Sequence, residues 1–205
     1  MDVVELQPRL HHLRFPIGHA YLWAGPEGLT LIDTGAPGSA PAIAEAIRQV
    51  GRHPEELRTV LLTHFHEDHV GPAAELATWG DVQAAMAGMP RPEPVRVDRE
   101  LDDADVIDLG GGVRAVAVAA PGHTPGSVTY HLPDLGVLFT GDTAARGPEG
   151  GDVILGVFNA DPAGAAASFR RLAALDVEVA CFGHGDPLVK DAGAWLHAAA
   201  ERLPG

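Results

Sequence analysis

Along the first third of the chain, short apolar runs alternate with breaks that carry Gly or Pro. Val3–Leu6, Leu10–Phe15, Tyr21–Ala24 and Leu29–Asp33 predict the strands of an opening meander. At Pro41–Val50 the period changes. Ile43, Ile47 and Val50 fall on one stripe, which predicts a helix with Ser39 as its cap. The apolar run Thr59–Thr63 predicts a buried strand, and Pro72–Trp79 a helix whose proline sits in the first turn, where no N–H is needed. Val106–Leu109, Val113–Ala119, Val128–Leu132, Val137–Thr140 and Val179–Phe182 predict further strands, and Pro162–Leu175 and Asp191–Leu203 predict helices. Two segments, Gly88–Asp98 and Thr143–Phe158, carry no periodicity and predict exposed loops. Neither a repeat nor a linker divides the chain, so one domain over residues 1–205 is expected.

Polar residues mark the ends of these strands. Asp33 follows Leu29–Ile32, His64 follows Val60–Thr63, and His123 comes shortly after Val116–Val118. Asp142 follows Val137–Gly141, and His184 follows Val179–Gly183. One such junction is ordinary, because strand ends need polar exits. Five point to a common edge where ligands converge, the usual place for a site on an α/β scaffold.

Composition narrows the class. Hydrophobic residues make up 46% of the chain, many of them Ala, and Leu, Ile, Val and Phe supply about a quarter of it, enough for a packed core. No run approaches the roughly 18 apolar residues of a membrane span. The start, MDVVELQPRLHH, lacks the basic-then-apolar layout of a signal peptide, so a cytoplasmic location is expected. The lone cysteine, Cys181, can form neither an internal disulfide nor a cysteine-type zinc site, and its apolar strand predicts an inert buried thiol. A net charge of −14 argues against nucleic acid as a partner. The unusual count is 11 histidines.

Three of them lie in Thr63-His64-Phe65-His66-Glu67-Asp68-His69, and His123 and His184 stand alone in Gly/Pro-rich frames. In an extended segment His64, His66 and Asp68 project from one face, whereas on a helix positions i and i+2 diverge by about 200°. The cluster is therefore expected at a strand exit, with His69 brought round by a turn and Glu67 pointing away. Imidazoles with carboxylates suit Zn²⁺, Mn²⁺ or Fe²⁺ rather than calcium. Four ligands in six residues crowd a single ion, and a metal pair relaxes that geometry. His11, His12, His19, His53, His131 and His197 fit no motif and are expected at the surface or half-buried. Asp33-Thr34-Gly35 also matches the aspartic-protease triplet, but that chemistry needs two such carboxylates, and it leaves the histidines without a role.

The ordered blocks THFHEDH, PGHTPGS, FTGDT and FGHGDP, preceded by LIDTG, resemble the metallo-β-lactamase-fold hydrolase superfamily from Tyr21 to His197. The resemblance implies an α/β (α+β) fold, a four-layer αβ/βα sandwich with metals at one edge of its sheets. It also implies two metal ions per chain, zinc with iron or manganese as alternatives. His64, His66 and His123 would hold the first, Asp68, His69 and His184 the second, and Asp142 would bridge. A metal-bridging hydroxide is the nucleophile so implied. Asp68 would steer its proton toward the leaving group, and Asp33 would orient a ligand imidazole through its other ring nitrogen.

Departures from relatives narrow the reaction. Zinc β-lactamases lack the bridging Asp, flavodiiron proteins carry Glu where His66 stands, and RNA-processing relatives carry a basic arm. Glyoxalase II adds a C-terminal helical domain, whereas only 21 residues follow His184 here. The compact glyoxalase II-like and lactonase-like group is left. Cleavage of a small ester, thioester or lactone is the expected reaction, with Phe158, Trp79 and Tyr21 as pocket linings and segments 88–98 and 143–158 shaping the pocket. A mononuclear iron enzyme resembling persulfide dioxygenases and a non-catalytic metal-binding module are the alternatives.

Overall fold

The computed structural model describes residues 1–76, the main chain of 83–85, and residues 96–147 and 150–204. It resolves into two compact units, Met1–Leu101 with Leu109–Gly112, and Asp102–Asp108 with Val113–Gly205.

The first unit carries strands β1 (Asp2–Gln7), β2 (Leu10–Arg14), β3 (Ala20–Ala24), β4 (Leu29–Ile32), β5 (Leu57–Leu61) and β6 (Gln83–Ala85) in one sheet of that order. The predicted meander forms β1 to β4, all antiparallel. β4 and β5 run parallel, and the crossover that parallel pairing requires is helix α1 (Ala40–Gln49). Ile43 and Ile47 of α1 are buried with Leu13, Leu22, Leu31 and Val60 in one core. Ser39 precedes α1 as expected, but its side chain makes no capping hydrogen bond. Two short helices follow β5: α2 (Glu67–Val70) and α3 (Ala73–Leu76). The helix predicted over Pro72–Trp79 is represented by α3, and Ala77–Trp79 lie outside the described residues, as do 88–95 of the predicted 88–98 loop.

The second unit holds β7 (Val106–Asp108), β8 (Arg114–Ala119), β9 (Val128–Leu132), β10 (Val137–Gly141) and β13 (Val179–Phe182), in the sheet order β13-β10-β9-β8-β7. Helices α4 (Pro162–Ala173) and α5 (Ala192–Glu201) share a core with this sheet through Phe169, Leu172, Leu138, Phe182 and Leu196. Asp161 caps α4, accepting from the amides of Ala163 and Gly164 at 3.1 and 3.0 Å. The segment 143–158, predicted as loop, contains the hairpin strands β11 (Ala144–Arg146) and β12 (Val153–Leu155). Three-residue strands are too short to show a period of two against the glycines around them, so the pattern was invisible in the sequence.

This topology aligns the polar exits within each unit. β4 and β5 are parallel neighbours, so Asp33 and His64 leave the same edge of the first sheet. β8 and β10 are both antiparallel to β9, and β10 is parallel to β13, so the segments bearing His123, Asp142 and His184 leave one edge of the second.

Candidate metal centre

In the first unit the chain leaves β5 at Leu61 and stays non-helical through His66, whose φ of −66° and ψ of 146° are extended. The extended alternation ends there. Asp68 and His69 sit on α2, whose start at Glu67 comes two residues before the turn predicted at His69, so Asp68 does not continue the extended face of His64 and His66. Glu67 is exposed, as expected, but on a helix rather than through strand alternation. Nε2 of His64 lies 3.1 Å from Nδ1 of His66, the His64 and His69 ring centroids are 4.1 Å apart, and an Asp68 oxygen is 3.9 Å from Nε2 of His69. Gly18, at φ +63°, lets the β2–β3 loop lie against the Asp68 carbonyl, where a Cβ would come within 2.1 Å of the oxygen.

Asp33 organises this group. Buried and itself left-handed at φ 54°, it accepts from the Thr63 amide and the Thr63 hydroxyl, both at 2.8 Å. Its Oδ2 also accepts from Nδ1 of His69 at 2.8 Å. Thr34 donates its amide and its hydroxyl to the His69 carbonyl at 2.7 and 2.8 Å. The Asp33-Thr34 pair therefore anchors α2 at both the ring and the main chain of His69. Sequence reasoning missed Thr34 and Thr63, since a threonine beside a charged residue carries no signal of its own.

In the second unit Asp142 Oδ2 lies 3.6 Å from Nε2 of His123 and 3.2 Å from Nε2 of His184. Nδ1 of His123 donates to the Val157 carbonyl at 2.9 Å, and the His184 carbonyl accepts from the Arg146 amide at 3.0 Å. Gly156 packs directly on the Asp142 main chain, since a Cβ there would fall 1.7 Å from the Asp142 carbonyl oxygen. The segment predicted as a plain loop thus supports all three ligand candidates of this unit.

These bonds decide which ring nitrogen carries the lone pair. A carboxylate and a carbonyl only accept, so the neutral imidazoles of His69 and His123 hold their protons on Nδ1. The Thr63 hydroxyl spends its one hydrogen on Asp33, so it accepts from Nδ1 of His64 at 3.1 Å. All three therefore present Nε2 as the ligating atom. Donors around a tetrahedral ion with metal–nitrogen bonds of about 2.0–2.1 Å stand roughly 3.3 Å apart. The spacings of 3.1 Å between His64 and His66, and of 3.2 and 3.6 Å from Asp142 to His184 and His123, match that edge. The residues present fit a divalent transition metal.

Residues outside these groups fall where packing puts them. His12 and His19, expected at or near the surface, are buried in the first unit, edge to face at 4.6 Å, with His12 stacked on Tyr21 at 5.1 Å. Tyr21 is accordingly a core residue of that unit rather than an open lining. His11 and His131 are half-buried, and His53 and His197 exposed, as expected. Cys181 is buried, which pushes its thiol well above the ordinary value. Phe158 is 90% exposed, and Trp79 lies outside the described residues. No helix among the described residues is long and apolar enough to cross a membrane.

Comparison with known proteins agrees with this chemistry. Residues 13–184 match the model of the metallo-beta-lactamase superfamily. A hydroxyacylglutathione hydrolase of Fuscovulum blasticum is 35% identical over 152 residues, covering 73% of this chain and 55% of its own length. The chain spans little more than half the length of that relative. The probable metallo-hydrolase YflN of Bacillus subtilis is 28% identical over 97% of this chain and 92% of its own. A metallo-beta-lactamase family protein of Thermus thermophilus superposes with a TM-score of 0.76 at 23% identity, over 97% of this chain and 79% of that one, which shows the fold. The chain belongs to the metallo-β-lactamase superfamily.

Proposed function

We propose that this protein is a dinuclear metal-dependent hydrolase of small esters, thioesters or lactones, with zinc as its metal and residues 1–205 working as one domain. His64, His66 and His123 would hold one ion, Asp68, His69 and His184 the other, and Asp142 both. The observation that carries this reading is the tautomer pattern. Three imidazoles, His64 after β5, His69 on α2 and His123 after β8, are each held through Nδ1, so that Nε2 is left to ligate. Packing alone has no reason to choose the same nitrogen three times.

When bound, the metal pair supplies Lewis acidity, which brings the pKa of water down toward about 7 and polarises a carbonyl. The chain supplies the rest. Asp33 fixes the His69 ring and strengthens it as a donor, Thr63 does the same for His64, and the Val157 carbonyl for His123. Asp68 and Asp142 bring only two negative charges, which leaves the centre able to favour an anionic transition state. Asp68, partly exposed on the first turn of α2, would pass a proton to the leaving group. Thioester cleavage is supported by the hydroxyacylglutathione hydrolases among the relatives, and the −14 charge supports a small-molecule substrate over nucleic acid.

The test is a panel of esters, thioesters and lactones run on metal-replete protein, beside oxygen uptake with glutathione persulfide. Hydrolysis that disappears in Asp142→Ala and His66→Ala, with unaltered far-ultraviolet circular dichroism, is the expected result. Oxygen uptake without hydrolysis would replace this reading by the iron-dioxygenase one. No turnover of any kind would leave a metal-binding module.

A further inference from the structure

The turn Gly156-Val157-Phe158-Asn159 in the second unit joins two of the ligand candidates. At one end the Gly156 amide donates to the Thr143 carbonyl at 3.2 Å, and Gly156 packs against the main chain of Asp142. At the other end the Val157 carbonyl accepts from Nδ1 of His123, and the Ala160 amide donates to the His123 carbonyl at 3.2 Å. Asn159 closes the turn by donating from its side chain to the Gly156 carbonyl at 2.6 Å. The tip is thereby held at one end by the Asp142-Thr143 main chain and at the other by the ring and main chain of His123.

Phe158 occupies that tip in a way that folding does not reward. Its φ of +56° is left-handed, a region bulky side chains avoid, and its ring is 90% exposed. Val157 beside it is 53% exposed. A strained backbone carrying an aromatic ring into water, on a turn bonded to His123, marks a functional position rather than a packing one. The turn also lacks charge. Val157, Phe158 and Asn159 offer no cation to an anionic group, but they do offer an apolar surface.

We propose that Phe158, with Val157, is a specificity-determining contact that selects substrates carrying an apolar acyl chain. This rests on the hydrolase reading above and deepens it. The ring would cover the alkyl part of the acyl group while the carbonyl carbon reacts beside His123. Burial of each added methylene against the ring then contributes to transition-state binding.

The test uses the metal-replete full chain and a series of p-nitrophenyl esters from acetyl to octanoyl. For the unaltered protein kcat/KM is expected to rise with acyl length. In Phe158→Ala the hexanoyl-to-acetyl ratio of kcat/KM is expected to fall at least tenfold, and Phe158→Leu should recover part of it. Titration with hexanoate, the product, gives a second readout, and weaker binding to Phe158→Ala than to the unaltered protein is expected. Phe158→Gly, which relieves the left-handed strain, must melt no lower than the unaltered protein, so a fold defect cannot account for the change. An unchanged ratio in Phe158→Ala, with all esters still cleaved, would overturn the role of Phe158 and leave the hydrolase intact. Equal hexanoate binding would overturn it even where no ester turns over, a result that by itself would sink the hydrolase reading.

Discussion

His69 Nδ1 stands 2.8 Å from Asp33 Oδ2, across 36 residues of sequence, and both side chains are buried. The bond ties the first turn of α2 to the end of β4, and it leaves His69 with its lone pair on Nε2. Asp33 reaches this position through a left-handed backbone, an arrangement that Asp and Asn tolerate better than most residues.

Asp33→Asn keeps the backbone preference and the size of the side chain while removing the charge. Zinc affinity is expected to fall about 10- to 100-fold, as for other partners of ligating histidines. Asp33→Ala strands three donors, on Thr63 and His69, and is expected to cost about 3 kcal/mol of stability as well. Chelator competition and urea unfolding separate the two effects. Unchanged zinc affinity in Asp33→Asn would reduce Asp33 to a structural residue.

Gly156→Ala places a methyl group against the Asp142 carbonyl, on main-chain atoms that cannot swing aside. Expected are a loss of about 2–3 kcal/mol and weakened zinc binding, because the Asp142 main chain must shift. Gly38→Ala is the comparison: at φ +87° with open space around its Cβ, it costs only the left-handed strain, about 1–2 kcal/mol, and leaves zinc affinity alone. Equal zinc affinity in the two variants would show that Asp142 does not depend on Gly156.

Several features of this fold were legible in the sequence for physical reasons. Ile43 and Ile47 on one stripe, and uninterrupted runs such as Val137–Thr140, report burial directly, and the structure places a helix and a strand there. His64, His123, Asp142 and His184 could be singled out because each is the first ionisable group after an apolar run. Other features had no local signature. Thr34, Thr63 and the Val157 carbonyl act through bonds to residues 35, 30 and 34 positions away, which no pattern along the chain reports. The helical start at Glu67 was hidden because its four residues are too few to show a period. His12 and His19 are buried because β2 and the start of β3 bring them together, although neither belongs to a motif.

Away from the metal groups, Asp103 gives a test in pH. Both of its oxygens accept from Arg171 at 2.7 Å, and Oδ1 also accepts from the Ala119 amide at 2.9 Å. The Arg171 hydrogen bond, followed by that amide, holds the Asp103 carboxyl below its ordinary value of 3.8. A lowered carboxyl pKa stabilises the fold above the unfolded value, and the benefit is lost as pH falls through the folded one. Asp103→Asn is therefore expected to melt lower than the unaltered protein at neutral pH. The gap should hold down to about pH 4 and close below it. The effect is modest because both side chains are about half exposed. A gap that stays constant below pH 4 would show that charge is not its source.

The proposed seven-ligand centre is tested most directly by counting metal. Chelator-stripped protein is titrated with zinc, and its content is then measured by elemental analysis after gel filtration. Two zinc ions per chain for the unaltered protein, with at most one held tightly by Asp142→Ala, is the expected result. One ion or none in the unaltered protein, or full occupancy without Asp142, would contradict the shared centre.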